Sequence, residues 1–390
     1  MQKVVIIGGG AVGSSTAYHL ATHPRFRGEI TVVERDPTYR IASSSLSCSS
    51  IRQQFSTPVN IAMSQYGLKF LRNAAEALEV NGDRPNVALR EPGYLFLASA
   101  SGLDVLSDNH QVQRAAGADV ALLQPSELTA RFPWLSTEGI VAGSLGISGE
   151  GWFDGPALLQ ALRRKARRLG VTYIAQDAIG FIRAGDRITG VRLADDTVLD
   201  CDVAVNAAGP WAARVADWAG ISLPVRARKR MVYVVACRTP LPNCPLVIDT
   251  TGIFWRPESL GYVCGRSPGD GEPDPDEPPL EVDDAMFFDI VWPAMANRAP
   301  AFEELKLMSS WAGYYEYNIF DQNGIIGLHP SVPNLIFANG FSGHGIQHSP
   351  ATGRGVAELI ADGGYVSLDL SPLGFSRVVA GERLVERNIV

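Results

Sequence analysis

Three stretches of this 390-residue chain place chemically useful residues at telling intervals. Gly8-Gly9-Gly10-Ala11-Val12-Gly13 has G-x-G-x-x-G spacing, and Glu34 follows 21 residues beyond Gly13. In such a turn the first glycine permits a tight bend. The second lets backbone N–H groups approach a diphosphate, and the third brings the next helix close to its sheet. A carboxylate at an offset of about 20 residues accepts ribose hydroxyls and repels a 2′-phosphate, which disfavours NADP. Arg35 either softens that repulsion or is a solvated surface arginine. The turn specifies an adenine dinucleotide, NAD or FAD.

The second stretch is the late loop Gly340-Phe341-Ser342-Gly343-His344-Gly345-Ile346-Gln347-His348-Ser349-Pro350. It separates an apolar run at 334–339 from a helical pattern through Ile360, with Pro350 expected near the helix start. Free N–H groups at that helix N-terminus would favour negative charge inside the loop. His344 and His348 stand four apart but lack a carboxylate, so no metal site is expected. The third stretch is Ser43-Ser44-Ser45-Leu46-Ser47-Cys48-Ser49-Ser50, running into Ile51-Arg52-Gln53-Gln54-Phe55. Small hydroxyl residues let backbone approach a bulky ring, although a flexible linker has the same composition. On spacing alone Arg52 is either a site residue or a surface one.

Elements must hold these residues in place, and the fold class they predict is α/β. Val4-Val5-Ile6-Ile7, the helical pattern at 14–21 and Ile30-Thr31-Val32-Val33 read as strand, helix, strand. Residues 58–79 read as one helix, 93–98 as a strand, and 104–117 and 125–131 as polar helices. The glycine-broken stretch 141–154 reads as a crossing between domains, and Pro156 opens a helix through Leu169. Residues 171–205 read as a meander of short strands between Asp and Gly turns. The last of these strands ends in Ala207-Ala208-Gly209-Pro210-Trp211, a second place for backbone to meet a long cofactor. A second sheet is predicted from 231–235, 252–256, 262–266 and 307–317, with a helix over 283–298.

Composition removes several functions. A net charge of −7 gives nucleic-acid binding no electrostatic support. The basic run at 163–168 suits the C-terminal end of a solvated helix. Five cysteines (Cys48, Cys201, Cys237, Cys244, Cys264) without a C-x-x-C pair argue against a disulfide framework or zinc site. No apolar run approaches about 18 residues, so no membrane span is predicted. The first strand begins too early to leave a signal peptide, and a cytoplasmic protein is expected.

With these motifs in view, the chain resembles the FAD-dependent D-amino-acid-oxidase-like family, in its sarcosine oxidase, dimethylglycine dehydrogenase and glycine oxidase branch. The likeness is carried by Gly8 to Gly13 with Glu34, the serine stretch into Phe55, Asn206 to Trp211, and Asn339 to Gly345. The last matches the family's G-F-S/T-G-H-G loop beside the flavin ring. The Ile51 to Phe55 stretch is also similar to a mitochondrial FAD-dependent oxidoreductase domain-containing protein linked to respiratory complex assembly. The resemblance implies a Rossmann-type FAD-binding domain assembled from 1–88, 148–222 and 320–390. A substrate domain on a mixed β-sheet with helices would come from 89–147 and 223–319. Implied FAD contacts are Gly8, Gly10, Ala11, Val12, Gly13, Glu34, Arg35, Ser43, Ser44, Ser45, Ala208, Gly209, Trp211, Gly343, His344, Gly345, Ile346 and Gln347. The implied chemistry is hydride transfer from a small amine or N-methyl amino acid to flavin N5, giving an imine that hydrolyses, with oxygen or another carrier as electron acceptor. Arg52 matches the arginine that pairs with the substrate carboxylate, and Tyr315, Tyr317 and Gln347 join it as pocket members.

Three departures shape this expectation. Ala312-Gly313-Tyr314-Tyr315 stands where a cysteine tethers the flavin, so FAD is expected to be non-covalent. Gln347 stands where a lysine helps hold the carboxylate, and Val263 near the lysine associated with oxygen activation, which favours a dehydrogenase. Arg256 or Arg266 would restore the missing charge, unless each is a cross-strand or surface arginine. Two other readings stay open: an FAD-bound, non-catalytic assembly protein and an NAD-dependent dehydrogenase.

Overall fold

The computed structural model describes residues 1–269 and 271–388. The strand Gln2–Ile7 is buried from Val4 onward, because parallel neighbours flank it and helices cover its faces. It lies between Gly28–Glu34 and Val203–Asn206, both parallel to it. Thr172–Ala175 extends the sheet beyond Gly28–Glu34, and Val332–Asn339 and Ile325–His329 extend it on the other side. Of these six strands only Ile325–His329 runs antiparallel to its neighbour. The first helix, Ala11–Ala21, links the first two strands, and the late helix, Gly345–Asp362, packs on it. That contact is close: a Cβ on Gly353 would lie 2.3 Å from Ser15 Oγ.

An eight-stranded mixed sheet carries the second large core. Its order is Lys306–Asn318, Val225–Ala236, Gly261–Arg266, Ile253–Glu258, Leu246–Ile248, Tyr94–Ala98, Ala142–Gly146 and Val120–Leu123. Tyr233, Trp255, Phe287 and Phe302 fill the core beside it. The long strand Lys306–Asn318 reaches back to the late loop, where Glu316 O accepts the Ser342 N–H at 3.0 Å.

Several elements differ from expectation. Thr172–Ala175 joins the six-stranded sheet beside Gly28–Glu34, and the meander is only Ala178–Ala184, Arg187–Leu193 and Val198–Asp200. The stretch 141–154 contains the buried strand Ala142–Gly146. Its glycines serve packing, since a Cβ on Gly146 would meet Glu150 Oε2 at 1.9 Å. The strands Val120–Leu123 and Leu246–Ile248 were not anticipated from their short apolar runs. The helix over 58–79 breaks at Asn73, and 283–298 contains a wide turn at Phe287–Val291. Pro350 lies inside the late helix, which begins five residues earlier at Gly345. Proline lacks the N–H that would bond the Ile346 carbonyl, and Ser349 Oγ donates to that carbonyl instead, at 2.9 Å. Among the described residues no helix is long and apolar enough to cross a membrane.

Candidate cofactor and substrate site

A cavity of about 470 Å³ opens beyond the carboxyl ends of Gln2–Ile7, Gly28–Glu34 and Val203–Asn206. Ligands bind in this crevice of an open α/β sheet. Gly8, Gly10, Ala11, Val12, Glu34, Arg35, Ser43, Ser44, Ala208, Gly209 and Trp211 line it. Gly8 has φ +100°, and a Cβ there would lie 2.3 Å from the Ala207 carbonyl oxygen. Only glycine fits that conformation and that space. Gly13 lies outside the cavity, where a Cβ would meet Gly8 O at 1.9 Å, so its part is helix packing. Glu34 accepts the Gly9 and Asp36 N–H groups, each at 2.8 Å. Burial pushes its carboxyl above the usual range, and those two amides pull it back. Ser44 Oγ accepts the Ala11 N–H at 3.0 Å, and Ser43 Oγ donates to Tyr314 O at 2.5 Å. The serine stretch therefore begins as a short, tethered helix, Ser43–Leu46, and Ser45 does not line the cavity. The Arg35 guanidinium lies 3.7 Å over the Trp211 ring, whose Nε1 donates to Glu277 at 3.2 Å, and this pair forms the outer wall.

A second cavity of about 40 Å³ is lined by Arg52, Tyr315, Gly343, His344 and Gln347, together with Cys48, Tyr94 and Phe254. Arg52 is 3% exposed and lies 3.8 Å over the Phe55 ring. Its Nη1 and Nη2 donate to the carbonyls of Gln54 and Asn388, and none of the ion pairs among the described residues includes it. Gln347 Oε1 accepts the Arg52 backbone N–H at 2.9 Å. Gly343 has φ +99°, and a Cβ there would lie 2.4 Å from the Tyr315 ring, so the loop and the ring pack face to face. Burial raises the Tyr315 phenol to about 12. Burial also lowers both imidazoles, His344 well below its ordinary value and His348 to about 3, and both are neutral near pH 7. His348 Nε2 and Ser64 Oγ are 3.0 Å apart, whereas His344 Nε2 has no partner among the described residues.

Other expected residues lie elsewhere. Gly345 packs against Glu316 and Phe341. Ile346 belongs to an apolar cluster with Ala11, Ile51 and Leu158. Tyr317 lines none of these cavities, and its ring stands 5.9 Å from the Arg230 guanidinium. Arg256 is engaged by Glu258 and by Cys48 O, and Arg266 by Glu272. Two carboxyls escaped the sequence reading. Glu150, fully buried, accepts the Gln53 N–H at 2.6 Å and a Gln54 Nε2 N–H at 2.7 Å, from the two residues that follow Arg52. Glu316 faces the large cavity from the strand Lys306–Asn318. Neither has a motif around it. Only the oddity of one acid between tyrosines marks Glu316.

The cavity fits a long adenine dinucleotide: a glycine cradle that a Cβ would fill, a helix N-terminus, an acid at the second strand end and an aromatic outer wall. A mostly parallel sheet with this cavity at its strand ends is the architecture of a dinucleotide-binding protein. The family described as FAD dependent oxidoreductase, DAO, matches residues 3–359, and the chain belongs to it. Its cofactor is FAD, which removes the NAD reading. The chain is 47% identical over 422 residues to FAD-dependent oxidoreductase domain-containing protein 1 of Xenopus laevis, covering 99% of this chain and 84% of that protein. A more distant relative is the glycine oxidase of Geobacillus kaustophilus, 27% identical with 96% of each chain covered. The solved structure of L-proline dehydrogenase from P. horikoshii superposes with a TM-score of 0.85 at 26% identity, covering 98% of this chain and 99% of that one.

Proposed function

We propose that the protein oxidises a small amine bearing a carboxylate, an amino acid or N-methyl amino acid, with FAD held non-covalently. Arg52 carries this reading: it is a buried guanidinium in a small cavity, without a carboxylate partner among the described residues. An unpaired buried cation favours an arriving anion, and guanidinium suits a carboxylate. The name of the L-proline dehydrogenase neighbour, whose substrate is a cyclic secondary amino acid, supports the same class.

FAD, when bound, supplies the two-electron acceptor for the hydride that leaves the carbon next to the substrate nitrogen. The chain binds and orients. Arg52 holds the carboxylate, and Gln347 fixes the backbone of Arg52. His344 keeps a neutral imidazole at the pocket, and its Nε2, without a partner among the described residues, would accept a substrate N–H. A cavity of about 40 Å³ takes little beyond a carboxylate. Cys48, Phe254 and Tyr315 also line an adjoining cavity of about 30 Å³. A substrate larger than a carboxylate would need Tyr315 or Phe254, which both cavities share, to shift and join the two. No lysine lines any of the three cavities, which favours a dehydrogenase over an oxidase. In this reading 1–88, 148–222 and 320–390 form the FAD domain, and 89–147 and 223–319 the substrate domain.

The test is anaerobic mixing of the holoprotein with a panel of amino acids, N-methyl amino acids and cyclic secondary amino acids. Bleaching of the flavin absorbance by a carboxylate-bearing amine is the expected result. Bound FAD that no amine bleaches would overturn this reading in favour of a non-catalytic assembly role.

A further inference from the structure

Glu316 is a carboxyl that the proposed chemistry leaves unused, on the wall of the cofactor cavity. Successive strand residues point to opposite faces. Tyr315 turns to the small cavities, and Glu316 to the large one it shares with Gly8, Gly10 and Ala338. Its Oε2 accepts the Gly340 N–H at 3.1 Å. Its backbone carbonyl accepts the Ser342 N–H, and two residues on, the Asn318 N–H donates to Ser342 Oγ at 3.0 Å. A Cβ on Gly345 would sit 3.0 Å from Oε1, so the carboxyl is wedged between the late glycine loop and the cavity.

Among the described residues no cation compensates it. Across the sheet Ala227 is its direct partner, while Arg226 and Arg228 oppose Tyr317 and Tyr315 and pair with Asp276. The strand Val332–Asn339 carries no charged residue, and the late helix presents only neutral His344 at its start. In the same cavity Glu34, Asp36 and Asp177 are acids, Arg35 lies over Trp211, and Arg214 is engaged by Glu277. A bound dinucleotide adds the negative charge of its diphosphate to this wall. An ionised Glu316 would then be repelled, whereas its acid form has an O–H to give.

We propose that Glu316 binds FAD as a neutral carboxylic acid, donating its O–H to a cofactor oxygen, so that cofactor affinity carries one proton. The supporting direction is plain: burial raises the carboxyl to about 8, against a smaller opposing pull from the Gly340 amide. The proposal concerns the cofactor alone and stands whatever the substrate.

The full-length holoprotein is diluted at a series of pH values, and released FAD is read by its fluorescence. One-proton linkage predicts a dissociation constant that rises roughly eightfold between about pH 7.5 and about pH 9 in the wild type. Glu316→Gln, whose amide keeps a donor, should hold FAD with no such rise. A flat wild-type profile overturns the proposal, and so does an unchanged slope in Glu316→Gln, which would point to another group such as Glu150. Should the variant fail to fold, calorimetry of FAD rebinding to the wild type in two buffers of different ionisation enthalpy decides. At about pH 8.5 net proton uptake supports the proposal, and zero uptake or release overturns it.

Discussion

Gly353→Ala tests whether the two ends of the chain must meet closely to build the cofactor site. On an open helix this change stabilises by about 1 kcal/mol, because alanine is the better helix former. Here the new methyl would lie 2.3 Å from Ser15 Oγ, 2.5 Å from Ser15 C and 2.7 Å from Thr16 N. The hydroxyl can rotate away, but the two backbone atoms cannot. Ordinary carbon contacts begin near about 3.5 Å, so the late helix must back away from the first by roughly 1 Å. Overpacking of this kind costs about 1–3 kcal/mol. Two backbone atoms inside 3 Å put the site at the upper end, and subtracting the propensity gain leaves a net loss of about 2 kcal/mol. The same retreat disturbs both N-termini that face the cavities, so FAD release should rise as well. Urea unfolding of the holoprotein at fixed FAD concentration measures the first effect, and fluorescence of released FAD the second. Gly180→Ala, with open space around its Cβ, is the control and should stay within about 0.5 kcal/mol of wild type. A Gly353→Ala protein as stable as wild type, with unchanged FAD release, would refute the close contact.

Arg52→Ala should leave FAD bound while weakening carboxylate substrates by about 2–5 kcal/mol, read as a rise in the concentration needed for half-maximal flavin reduction. Unchanged titrations would remove Arg52 from the site. Glu150 is raised by burial to about 7, so its proton favours the folded state at low pH, and that contribution falls as pH climbs from its ordinary range through about 7. The stability difference between wild type and Glu150→Gln, from urea unfolding at about pH 5 and about pH 7.5, should therefore shift in favour of the variant at the higher pH. A difference independent of pH would mean the carboxyl does not titrate in that window. His348, lowered by burial to about 3, acts in the opposite sense. Its contribution is present above the ordinary histidine range and is lost as pH falls, so His348→Gln should blunt acid destabilisation between about pH 6.5 and about pH 4.5.

The glycine turn was legible because every constraint on it is local: strand, bend and helix follow one another within the first 21 residues. The late loop was legible for the same reason, yet its helix start was misplaced. Proline usually marks a first turn, and nothing local shows that Ser349 will replace the missing donor. Thr172–Ala175 was assigned to the wrong sheet because a short apolar run does not name its partner strand, which here lies some 140 residues earlier at Gly28–Glu34. The glycines of Ala142–Gly146 read as breaks although they make room for Leu128 and Glu150. Spacing alone left Arg52 open between site and surface, and only the family resemblance singled it out; its burial depends on contacts such as the carbonyl of Asn388, at the far end of the chain, which no local pattern shows. Glu316 was invisible because its significance arises only where a strand of one sheet passes the loop of the other.

The central claim, that Arg52 selects substrate by its carboxylate, is tested most directly by anaerobic reductive titration with matched pairs of amines. Each pair holds an N-methyl or cyclic amino acid and the same amine without its carboxylate. The account predicts that the acids reduce the flavin of the wild type at much lower concentration than their decarboxylated partners, and that Arg52→Ala closes the gap. Equal titration of acid and amine by the wild-type protein would contradict it.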